Sequence, residues 1–137
     1  MASGCAVGNH SPSGRTCGSA DPSAARLRRV SDHIQVTTVA DSQEVAVRLA
    51  RSAVAARLAA SAQVLGPVTS IYWHLGELGT GQEWQTVLKT TASRYPELRD
   101  HLLSEHPWDN PEITAVEIVE ATDAYLDWLK RTVEPGD

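Results

Sequence analysis

An α+β fold is predicted by two features of the 137-residue sequence. Strand-like and helix-like periodicities follow one another from residue 33 onward, and two of the strand-like stretches are joined by a glycine-marked loop instead of a helix. The length suffices for one hydrophobic core and not for two, so a single domain is expected over residues 32–137.

The first strand covers residues 33–39, where β-branched side chains dominate and the pattern alternates. Asp41 followed three residues later by Glu44 resembles a capping box, and Val45, Leu49, Ala53 and Val54 recur at helical spacing towards Leu58. A helix is therefore expected over about 42–59, with an alanine-rich face against the sheet and Arg48, Arg51 and Arg57 turned to water. Residues 61–72 form a long second strand carrying Val64, Val68 and Ile71, with a bulge or bend at Gly66-Pro67. Gly76, Gly79 and Gly81 mark a loop, and a third strand over 84–91 makes the pair a hairpin. Pro96 suits the first turn of a second helix, which buries Leu98, Leu102 and Leu103 before Pro107 stops it. Residues 113–119 are the fourth strand, and Thr122 or Asp123 caps a last helix in which Tyr125, Leu129 and Val133 repeat beside Trp128.

Strand, helix, strand, strand, helix, strand is the split βαβ or ferredoxin-like order, here with an extra C-terminal helix. Helices on one face of an antiparallel sheet leave the other face needing cover. Val64, Ile71, Val87 and Val116 fall on alternating faces, so the open face is expected to be buried too, most simply by another copy of the chain.

Composition excludes several function classes. No apolar run approaches the ~20 residues that cross a bilayer, so no membrane span is expected. Arg15, Arg26, Arg28 and Arg29 against Asp21 give residues 1–31 a net charge of +3, leaving −8 on the rest of a chain whose total is −5. An acidic body is a poor ligand for phosphate backbones, so nucleic acid is not an expected partner. Residues 1–31, rich in Gly, Ser, Ala and Pro, read as a flexible tail that buries too little to order itself. The tail lacks the apolar stretch of an export signal, and a cytoplasmic location is expected. Cys5 and Cys17, the only cysteines, could form with His10 a soft-metal or redox clip, although their spacing matches no compact metal motif.

The chemistry-bearing residues form no enzyme constellation. The run from Gly76 to Gly81 precedes a strand rather than a helix N-terminus, which favours a turn over a phosphate loop. No serine stands in a nucleophile-elbow pattern, so no catalytic residue is named. His74, beside Trp73 near the hairpin tip, is either an exposed or interface residue or a metal ligand. His101 reads as solvated surface. His106 before Pro107 is either a helix-end cap or a ligand. Lys89 lies among apolar strand neighbours, where its charge needs a partner, and Glu112 is the candidate. A cleft of Lys89, His106, Trp108 and Glu112 would suit a small anionic or aromatic ligand, or would be a structural salt bridge holding the loop.

The strings KTTASRYPELRDHLLSEHPWDNPEI, RLAASAQVLGPVTSIYWHLGEL and AYLDWLK resemble the CutA, or divalent-cation tolerance, family across residues 33 to 133. The resemblance implies a non-enzymatic, ferredoxin-like homotrimer, similar in fold to PII-type signalling proteins, that acts in divalent-metal tolerance and binds copper or another divalent cation. It also implies that the loop around His106 meets a neighbouring subunit. Ser61 stands where the family often has a cysteine, and Trp108 and Asn110 replace tyrosine and valine in its HPYEVPEI loop. Without that thiol the domain is expected to bind copper weakly through imidazole and carboxylate, with His74 and His106 as candidate ligands and any tighter site at Cys5 and Cys17. The alternative is a PII-like trimeric sensor or scaffold that binds a small metabolite at intersubunit clefts.

Overall fold

The computed structural model describes residues 31–135, and the expectations for the tail, Cys5 and Cys17 lie outside them. β1 (His33–Ala40) buries Ile34, Val36 and Thr38 on one side by strict alternation. α1 (Gln43–Ala55) starts one residue later than the Asp41–Glu44 pattern suggests, because the Ser42 hydroxyl accepts the Val45 N–H at 3.2 Å. Asp41 is thereby left outside the helix and exposed. The buried stripe of α1 is Ala46, Leu49, Ala50 and Ala53, small enough for the helix to lie close on the sheet.

α1 also ends before the expected Ala59. Arg57 adopts φ 60, and the N–H groups of Arg57 and Leu58 donate to the Val54 and Ala53 carbonyls at 2.9 and 3.0 Å. This is a Schellman arrangement with arginine in the place glycine usually takes. It reverses the chain so that Leu58, Ala59 and Ala60 are buried beneath it.

β2 (Ser61–His74) and β3 (Glu77–Thr91) form a hairpin longer than expected. Its turn is only Leu75-Gly76, with φ 52 and 83, the double positive φ of a two-residue type I′ connection. Gly79 and Gly81 are therefore not loop residues but lie inside β3, opposite Tyr72 and Ser70. The expected bulge is present: the register shifts between Leu65 and Val68. A Cβ on Gly66 would sit 2.5 Å from the Trp84 ring, so close approach requires glycine there.

α2 (Tyr95–Glu105) buries Leu98 and Leu102, whereas Leu103, expected inward, is 46 % exposed. β4 (Ile113–Glu117) is shorter than expected, and α3 (Asp123–Val133) is capped by Thr122, whose hydroxyl accepts the Tyr125 N–H. The sheet order is β2-β3-β1-β4, every pair antiparallel, which is the ferredoxin-like arrangement.

The main core joins Ile34, Val36 and Leu88 of the sheet to Leu49, Leu98 and Leu102 of α1 and α2. Each fully buried leucine contributes about 1.5–3 kcal/mol of transfer free energy. Two buried threonines of β3 orient α1 and its exit: Thr86 donates to the Ala46 carbonyl at 2.9 Å and Thr90 to that of Leu58 at 2.7 Å. Leu129 and Val133 of α3 form a separate cluster with Ala60. Beyond the pairing of Ala40 with Trp84, β2 and β3 continue as a two-stranded arm, with no third strand among the described residues. Val64 and Val87 are half-buried, while Ile71 and Val116 stay 68 % and 60 % exposed in the single chain.

Candidate functional site

Strand alternation sorts the arm into two faces. Ile71, Trp73 and Leu78 share one of them, Trp73 lying directly opposite Leu78. Ser70, Tyr72, His74 and Glu83 share the other. On this second face β3 presents Gly79 and Gly81, where a Cβ would come within 2.7 Å of the Tyr72 ring and 3.3 Å of its hydroxyl. The two glycines thus leave bare backbone on which the Tyr72 ring rests.

The second face of the arm meets the loop between α2 and β4 in a groove of about 700 Å3, lined by Asp41, Tyr72, His74, Glu83, Trp108 and Asp109 among others. The Ser70 hydroxyl donates to Glu83 Oε1 at 2.7 Å and fixes that carboxylate. The loop is held by His106, which is 7 % exposed. Its Nε2 lies 2.7 Å from the Val39 carbonyl, and its Nδ1 is 3.0 Å from the Trp108 backbone N–H. A carbonyl can only accept and an amide N–H can only donate, so the ring is the Nε2–H tautomer with both nitrogens engaged. The imidazole also lies 4.9 Å from the Trp108 indole, centroid to centroid.

This geometry separates the cleft expected from the sequence. His106 and Trp108 are together, but Lys89 and Glu112 are not with them or with each other. Lys89 pairs with Gln35 and Ser61, whereas Glu112 precedes Ile113, which pairs with Thr38. At about 3.3 Å per residue the two rows are more than 10 Å apart along the sheet, with β1 between them. Lys89 is half-buried and Glu112 exposed, and no ion pair joins them. No Lys or Arg among the described residues of one chain lines the groove.

Of the candidate metal ligands, His74 reaches the groove, exposed at the end of β2, and His106 is occupied as a structural clamp. Ser61 opens β2 and His74 closes it, so they stand at opposite ends of one strand. Among the described residues no group of three or more His, Cys, Asp or Glu side chains is placed to hold a metal ion. A resident metal centre within one chain does not fit these residues. His101, expected on solvated surface, is half-buried with Nε2 2.9 Å from the Ser52 hydroxyl, tying α2 to α1. Tyr72, Glu83, Asp41 and Asp109 are the groove residues that sequence reasoning missed. The one signal was for Tyr72 alone, the Gly-x-Gly spacing at 79 and 81, where the ring lies on bare backbone; nothing in the sequence pointed to Glu83, Asp41 or Asp109.

The profile of the family described as CutA1 divalent ion tolerance protein matches residues 34–132. The divalent-cation tolerance protein CutA of Thermus thermophilus is 40 % identical over 89 residues, covering 65 % of this chain and 86 % of that protein. The solved structure of the divalent cation tolerance protein Cut A1 from the same organism superposes with a TM-score of 0.72 at 36 % identity, covering 74 % of this chain and 99 % of that one. CutA1 from Oryza sativa gives 0.73 at 31 % identity, over 76 % and 95 % of the two chains.

Proposed function

Since the chain belongs to the CutA1 divalent ion tolerance family, we propose that it acts in divalent-metal tolerance, copper included, as a non-enzymatic homotrimer that binds metal weakly. The family match over residues 34–132 carries this reading. The family is named for tolerance and not for a reaction, which supports a non-enzymatic role. In this role the metal is cargo and not a resident cofactor. Binding is weak because His74 with nearby carboxylates offers few donors, all of them harder than a thiolate. Assembly is supported by the arm: a two-stranded ribbon is marginal in water, and this one exposes Ile71, Trp73, Leu75 and Leu78 at 65 % or more. In this reading the chain acts in the cytoplasm.

Growth on raised copper of a strain lacking its own tolerance protein, with and without this chain, tests the role. The chain should restore growth, and calorimetric titration should show Cu(II) bound no more tightly than about 1 μM. Unrestored growth would sink the tolerance reading. A second reading, a trimeric sensor or scaffold that binds a small metabolite, is favoured by one observation: the groove has the volume of a small-molecule site, while the described residues form no metal centre.

A further inference from the structure

We draw no further inference here: the strongest candidate, the apolar groove between α1 and β2 lined by Val47, Ala50, Arg51, Val54, Ala62 and Val64, carries nothing, because nothing in the structure shows what covers it.

Discussion

Replacing His106 by alanine would strand a buried carbonyl on Val39 and an amide N–H on Trp108 while opening a ring-sized void. The expected loss is about 2–4 kcal/mol in chemical denaturation. Unchanged stability would show that the imidazole is not the clamp of the loop. Arg57 offers the opposite case. A side chain at φ 60 costs about 1 kcal/mol, so Arg57→Gly should raise stability by up to that amount, read as a higher denaturation midpoint with unchanged slope. At this scale the sequence was partly legible. Histidine before proline at a helix end narrowed His106 to a cap or a ligand, and only the carbonyl of Val39, far away in the chain, decides between them. Lys89 and Glu112, read as neighbours from the sequence, stand apart within one chain for a related reason. A charge in an apolar strand does ask for relief, but which residue lies opposite is set by register, and here the partners are Gln35 and Ser61.

Periodicity and caps found every secondary-structure element of the described residues, because each has an apolar stripe or a strand alternation that no other local conformation satisfies. Boundaries failed where backbone geometry overrode composition: a non-glycine residue in the left-handed region ended α1 early, and two glycines joined a strand instead of a loop. The bulge at Gly66 was visible because Gly-Pro cannot continue a regular ladder. Gly66→Ala should cost about 1–3 kcal/mol, since its Cβ would overlap the half-buried Trp84 ring and must displace it. Near-ultraviolet circular dichroism of the indole checks the displacement. An alanine variant with wild-type stability and spectrum would mean that the indole yields freely. Gly79→Ala tests the groove more than the fold. Tyr72 is 42 % exposed and can swing aside, so stability should change little while the Tyr72 ring leaves its seat.

The proposed assembly is a property of the whole chain, and the exposed apolar face of the arm is where the proposal puts it. Trp73→Glu, on the face opposite the groove, should shift light-scattering mass from trimer towards monomer at micromolar concentration while far-ultraviolet circular dichroism is kept. A trimer undisturbed by this charge would place the contact elsewhere. From the sequence, the need for cover was visible in the two apolar faces of the sheet, but the arm was not. Its length depends on where β1 stops, at Ala40, and nothing local in β2 or β3 records that. The same pairing pattern sets a schedule for the growing chain. His74 and Glu77 meet across a two-residue turn, and the ladder then extends outward one pair at a time to Ser61 and Lys89. By contrast β1, made earlier, finds β3 only when residues 84–91 have appeared and β4 only when 113–117 have. Loop closure favours the nearer pairing, so the hairpin zips up within microseconds while the central strand of the sheet waits with both edges open. The interval in which β1 is exposed to wrong partners is therefore set by the speed of synthesis and not by the hairpin, and slowing translation after residue 60 would lengthen it.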